Sequence, residues 1–241
     1  MALLEVEQVS VSFGGVRAVR GVDLDVGAAL ATGLIGPNGA GKTTLFNAIC
    51  GLQSLDHGRV ALDGQDITRV KPHRRARLGI ARTFQRLEVF GSMSTRDNIR
   101  VAAEVQRRWA ASTDVTPDAR TEELLDRVGL RSVAADRVDS LPTGLARMVE
   151  VGRALASEPK VLLLDEPSSG LSEDETDTFA TLLASLAEQG LGILLVEHDV
   201  ELVMRVCSRI HVLDFGRIIA VGTPGEIQQD PAVQVAYLGT V

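Results

Sequence analysis

The run Gly36-Pro37-Asn38-Gly39-Ala40-Gly41-Lys42-Thr43-Thr44 matches the pattern G-x-x-x-x-G-K-[ST] in full, and its flanks narrow the fold further. Residues 31–35 are an apolar run that reads as a strand ending at Gly36, and residues 44–50 read as a helix. A strand, a glycine turn and a helix in that order make a phosphate cradle. The glycines let successive backbone N–H groups turn inward, and the helix N-terminus adds partial positive charge. Lys42 is then placed to reach β- and γ-phosphates, and the Thr43 hydroxyl to hold Mg²⁺. An ordinary glycine turn is the competing reading, and the strand and helix on either side speak against it.

The rest of the chain alternates strands and helices. Residues 3–11 and 16–26 read as opening strands around a Gly14-Gly15 turn, and further strands read at 60–62, 161–165, 193–197 and 210–214. Between about 87 and 156 the period becomes helical, as for an inserted helical block. Thr116 before Pro117 predicts a helix start, with Leu124, Leu125 and Val128 on one face and Gly129 as a stop. Residues 107–118, polar apart from the single tryptophan, Trp109, read as a variable loop. Trp109 itself reads as a packed or partner-facing anchor.

Val161-Leu162-Leu163-Leu164-Asp165-Glu166 delivers two acids at the end of an uninterrupted apolar run. Such a run suits a strand buried on both faces of a mainly parallel sheet, beyond whose strand ends ligands bind. Asp165 is placed to hold Mg²⁺ and Glu166 to polarise an attacking water. Paired acids after a strand also suit a solvated turn, but a complete phosphate loop in the same chain favours catalysis. Glu197-His198-Asp199 repeats the arrangement after residues 191–196, and His198 is placed to reach a γ-phosphate oxygen and the water beside Glu166. His57, His73 and His211 have no ligand-like companions.

With 241 residues, 45% of them apolar, the chain can bury a sizeable core. A net charge of −7 argues against a general nucleic-acid binder, so the run Lys71, Arg74, Arg75, Arg77 reads as a solvated helix face. Cys50 and Cys207 read as small core residues of a reducing compartment. No leader-like start and no apolar run of bilayer length is legible, so a cytoplasmic protein is expected, with any membrane role supplied by a partner.

In this order the motifs resemble the nucleotide-binding subunits of ABC transporters, from Leu4 to Gly239. The resemblance implies an α/β fold: a P-loop NTPase, ABC-type ATPase core with an N-terminal antiparallel β region and a helical subdomain inserted at about 87–156, all one domain over 1–241. It implies ATP and Mg²⁺ as cofactors, Phe13 stacked on adenine, and Gln85 contacting Mg²⁺ and the attacking water while coupling to the membrane subunit. Ser168-Ser169-Gly170-Leu171 resembles the loop that crosses to a second nucleotide-binding subunit. The runs Gly79-Ile80-Ala81-Arg82-Thr83-Phe84-Gln85 and Asp230-Pro231-Ala232-Val233 resemble the branched-chain amino acid importer group, and are shared with the lipopolysaccharide-transport ATPase.

Two departures stand out. The signature, usually Leu-Ser-Gly-Gly-Gln and directed at ATP on the opposite subunit, is here Leu141-Pro142-Thr143-Gly144-Leu145. Pro142 offers neither hydroxyl nor N–H, and Leu145 lacks an amide. Gly144 and a helix expected from about Ala146 leave backbone donors and a helix dipole in place. Ser172 replaces the usual aspartate, and Ser172-Glu173-Asp174-Glu175 fits a capping box, as does Thr223-Pro224-Gly225-Glu226. The expected protein is an ATPase subunit held on the inner face of the cell membrane by permease subunits and paired with a second ATP-binding subunit, a related ATPase being favoured and a second copy of this chain the alternative. Amino-acid import is the leading role. A lipid-export ATPase and a weakly hydrolysing structural subunit are the alternatives.

Overall fold

Strand β1 (Ala2–Phe13) and strand β2 (Val16–Gly27) form a hairpin whose inward side chains, among them Leu4, Val6, Val9, Val19 and Leu24, are buried. The structure, a computed structural model, describes residues 2–109 and 115–238. After the hairpin come β3 (Ala31–Ile35), helix α1 (Lys42–Cys50), β4 (His57–Leu62), the short β5 (Gln65–Asp66), α2 (Pro72–Leu78) and β6 (Ile80–Arg82). Three helices follow: α3 (Thr95–Trp109), α4 (Pro117–Arg127) and α5 (Thr143–Leu155). The chain then alternates through β7 (Val161–Asp165), α6 (Glu173–Glu188), β8 (Gly192–Val196), α7 (Val200–Val206), β9 (Arg209–Asp214) and β10 (Arg217–Gly222), and closes with α8 (Pro224–Gln229) and α9 (Pro231–Leu238).

Two sheets result. One is antiparallel, in the order β2-β1-β4-β5, and the other runs β10-β9-β3-β8-β7-β6, parallel except for the β10–β9 pair. Alternate side chains of the central strands enter different cores, as a period of two requires. Val161 and Leu163 of β7 join Phe46 and the antiparallel sheet, whereas Leu162 and Leu164 join Phe179 and the helices on the other face. Burial on both faces is why these strands read as unbroken apolar runs. The mixed α/β architecture with an antiparallel β region is the one expected from the motif order.

Several local expectations need correction. Arg75 does not lie on a solvated face: it is 2% exposed and donates from Nη1 to the carbonyls of Ala48 and Ile49, from Nη2 to Thr68 and from Nε to Val70. It thereby adds donors to last-turn carbonyls of α1, where Ala48 also accepts from the Gly51 N–H at 3.1 Å. Helix starts at Thr95 rather than 87. Residues 107–109 finish α3 instead of opening a loop, while 110–114 lie outside the described residues. Trp109 is part-exposed under the Arg77 guanidinium, 4.9 Å from its ring centroid. The capping boxes at Ser172 and Thr223 and the cap of α4 by Thr116 form as expected.

His211 sits inside the sheet with neither ring nitrogen hydrogen-bonded among the described residues, and burial pushes its pKa down to about 4. Folded His211 therefore resists a proton that the unfolded chain accepts near 6.5. Stability from this group is complete above that value and falls as pH drops toward 4, by about 1.4 kcal/mol per unit. His211→Leu is expected to flatten the melting temperature against pH between 6.5 and 4. An unchanged acid slope would contradict the assignment.

Candidate active site

The carboxyl ends of β3, β8, β7 and β6, neighbours in the parallel sheet, carry the candidate residues. The phosphate loop leaves β3 at Gly36 and enters α1 at Gly41, whose φ of 111° is left-handed. A Cβ on Gly41 would lie 2.4 Å from the Ala18 carbonyl oxygen of β2, so only glycine lets the loop rest against the hairpin. Phe13, 49% exposed, ends the first strand of that hairpin. Ala40 is buried, its carbonyl accepting from the Gly216 N–H at 2.8 Å, while Asn38 and Gly39 are exposed and Pro37 and Thr44 half-buried.

Among the described residues no side chain caps the first N–H groups of α1, which leaves them for a ligand. Lys42 is buried and folds over the loop, donating from Nζ to the carbonyls of Gly36 at 2.7 Å and Pro37 at 3.0 Å. Burial lowers its pKa, against the nearby carboxylates of Glu166 and Asp165. The Thr43 residue is exposed one position on. Uncapped donors, an ammonium, a hydroxyl and two acids are the groups a magnesium nucleotide requires, and these residues fit it.

Asp165 ends β7, 1% exposed, where burial raises its pKa and the Arg82 guanidinium opposes the rise. Arg82 Nη2 lies 2.8 Å from Asp165 Oδ2, and Arg82 Nη1 donates to Asn47 Oδ1 at 2.6 Å. Arg82 thus ties the acid to α1. Glu166 follows, with Oε2 accepting from Gln85 Nε2 at 3.0 Å and Oε1 lying 2.6 Å from His198 Nε2. The structure therefore gathers Gln85, Glu166 and His198 around one carboxylate.

The signature segment meets other partners. Helix α5 begins at Thr143, not near Ala146, with Pro142 as its uncapped N-cap. The N–H groups of Thr143, Gly144 and Leu145 are therefore first-turn donors. Gly144 faces α6, where a Cβ would fall 2.2 Å from Glu175 Oε1, and Leu145 packs half-buried against the core. Behind them Arg147 donates to the carbonyls of Phe84 at 2.9 Å and Gln85 at 2.7 Å, and the Glu150 carboxylate accepts from the Phe84 N–H at 3.0 Å. The Arg147–Glu150 pair is buried and clamps α5 to the Gln85 segment. Sequence reasoning missed Arg82, Arg147 and Glu150; two opposite charges three residues apart on α5, amid mainly apolar neighbours, were the available signal for the Arg147–Glu150 pair.

A phosphate loop, an acid pair and a histidine at the ends of adjacent parallel strands define an α/β ATPase. A family model described as ABC transporter matches residues 19–169, and one described as branched-chain amino acid ATP-binding cassette transporter matches residues 217–241. The chain is 38% identical to the high-affinity branched-chain amino acid transport ATP-binding protein BraF of Pseudomonas aeruginosa, over 98% of each chain. It is 34% identical to the lipopolysaccharide export system ATP-binding protein LptB of Haemophilus influenzae, over 99% of this chain and 98% of that one. A solved nucleotide-free ATP-binding cassette from an ABC transporter superposes with a TM-score of 0.87 at 28% identity, covering both chains fully. The chain belongs to the ABC transporter family. It is an ATP-binding subunit that hydrolyses ATP for a transporter.

Proposed function

We propose that this subunit, as one nucleotide-binding domain over 1–241 with the helical block of about 87–156 inserted, powers import of branched-chain amino acids or a related small solute. The carrying observation is the C-terminal match over 217–241, which adds to the full-length likeness to BraF. The equally extended likeness to LptB keeps lipid export as the second reading. Among the described residues no helix is long and apolar enough to cross a membrane, so permease subunits supply the span and hold this chain at the inner face.

In the hydrolytic step, the phosphate-loop N–H groups, Lys42 and the signature of a second ATP-binding subunit hold the triphosphate, and Phe13 stacks on its adenine. Bound Mg²⁺ supplies charge neutralisation at the phosphates, with Thr43, Gln85 and Asp165 as its holders. Glu166 takes the proton of the attacking water as its oxygen bonds to the γ-phosphorus and ADP leaves. His198 and Gln85 keep the Glu166 carboxylate aimed. Motion reaches the permease through an apolar groove of about 750 Å³ whose walls include Leu52, Phe84, Glu88, Phe90, Val105 and Trp109, directly beside Gln85 and the Arg147–Glu150 clamp.

Glu88→Lys tests this route, since it reverses a charge on the groove rim without touching the phosphate loop. Stimulation of ATPase activity by the membrane subunits is expected to fall about tenfold, with basal activity within about twofold of wild type. Parallel loss of both rates would contradict the docking assignment. Transport assays with leucine and with lipid substrates in the reconstituted complex separate import from export.

A further inference from the structure

Glu197 follows β8 and has no task in the mechanism above, yet it is 3% exposed. Its Oε1 accepts from the Ser168 N–H at 2.7 Å and its Oε2 from its neighbour His198 N–H at 3.1 Å. The Ser168 hydroxyl and the Asp199 backbone also favour its charged form. Burial pushes its pKa up and these donors push back. A carboxylate is an unusual residue to bury, and it persists only where several donors satisfy it.

Those donors belong to two different loops. Ser168 lies two residues after Glu166, on the loop leaving β7, and His198 and Asp199 lie on the loop leaving β8. The loops meet again at their tips, where His198 Nε2 is 2.6 Å from Glu166 Oε1. Glu166, Pro167, Ser168, Glu197 and His198 therefore close a ring, part covalent and part hydrogen-bonded. Within that ring Glu166 holds a φ of 49°, a left-handed conformation unfavourable for a side-chain-bearing residue. Such backbone strain survives only where surrounding contacts over-determine it. The Glu166 N–H to the Val196 carbonyl at 2.8 Å fixes one side of the strained residue, and Ser168 to Glu197 fixes the other.

We propose that Glu197 is a positioning residue for ATP hydrolysis: it holds the two loops together from beneath, so that Glu166 keeps its left-handed backbone and His198 stays in register with its carboxylate. The proposal rests on the reading of Glu166 and His198 as hydrolytic residues. It predicts an effect on kcat and not on nucleotide binding, because the hydrogen bonds that hold Glu197 come from Ser168 and His198 and not from the phosphate loop.

The test compares Glu197→Ala and Glu197→Gln in the full chain, with kcat, KM and the affinity for a fluorescent ATP analogue measured on each. Glu197→Ala is expected to lower kcat about 10- to 100-fold, with KM and nucleotide affinity within about threefold of wild type. Glu197→Gln falls between, since its one amide oxygen can still accept from a single loop while its NH₂ faces the donors of the other. In a His198→Ala background, Glu197→Ala should cost less than about threefold more, because residues acting as one unit are not additive. A folded Glu197→Ala with kcat within about twofold of wild type would overturn the proposal, as would a kcat loss matched by the loss of folded protein or full additivity with His198→Ala. Should the alanine variant fail to fold, the same limits apply to Glu197→Gln. If Glu166→Gln itself turns over normally, the hydrolytic reading falls and carries this proposal with it; if Glu166→Gln is inactive and Glu197→Ala is not impaired, this proposal alone falls.

Discussion

Glu166→Gln is expected to cut ATP turnover by about 10²- to 10⁴-fold while ATP affinity stays within about threefold of wild type. The amide keeps the volume of the carboxylate but cannot take the water's proton. Lys42 and the uncapped start of α1, to which phosphate binding is assigned above as a proposal, are left as they were. On the proposal that ATP closes a pair of subunits and hydrolysis reopens it, the variant is also expected to accumulate an ATP-bound dimer in size-exclusion chromatography. Phosphate release near the wild-type rate would remove Glu166 from the mechanism.

The second large effect concerns the signature. In a pair of identical chains both nucleotides would face Leu141-Pro142-Thr143-Gly144-Leu145, with no side-chain donor at positions 142 and 145. In a pair with a related ATPase, the phosphate loop, Asp165, Glu166 and His198 of this chain would face a complete signature. We therefore expect slow turnover from the isolated chain and fast turnover from a heterodimer. One lost hydrogen bond to a charged group costs about 1.5–3 kcal/mol, or about one to two powers of ten in rate. Pro142→Ser with Leu145→Gln should recover that factor in the isolated chain. Pro142 already holds the extended conformation of an N-cap, φ −54° and ψ 150°, which serine also favours, so the exchange asks no rearrangement of α5. Leu145→Gln gives up some apolar contact with the core, about 1 kcal/mol for a half-buried side chain, and serine capping returns a similar amount. A double variant as slow as the parent would contradict the account of the signature.

Much of this was legible in the residues because the central strands are buried on two faces. Residues 161–165 were readable to the residue, since neither face of β7 needs a polar side chain. The phosphate loop was readable because its chemistry is local: the glycines, Lys42 and Thr43 work within nine residues. Strands β5, β6 and β10 were not readable, being too short or too mixed to show a period. What escaped altogether were charges whose partners are remote in sequence. Arg75 looks like a solvated side chain until the carbonyls ending α1 are seen to need donors. Arg82 finds Asp165 across 83 positions, and Glu197 finds Ser168 across 29. The start of α5, expected near Ala146, lies at Thr143, because a proline can stand at the entrance to a helix with its carbonyl accepting the first intrahelical bond, here from the Ala146 N–H at 3.0 Å.

The central claim is that hydrolysis occurs in a site shared by two chains, the strand-end residues of one and the signature of the other. Turnover per chain, measured for the purified protein across a hundredfold range of its own concentration at saturating ATP and Mg²⁺, tests this most directly. A shared site predicts that turnover per chain rises in proportion to concentration at the dilute end and levels off as the dimer fills. Turnover per chain that is constant over the whole range, with the protein monomeric by light scattering, would contradict it.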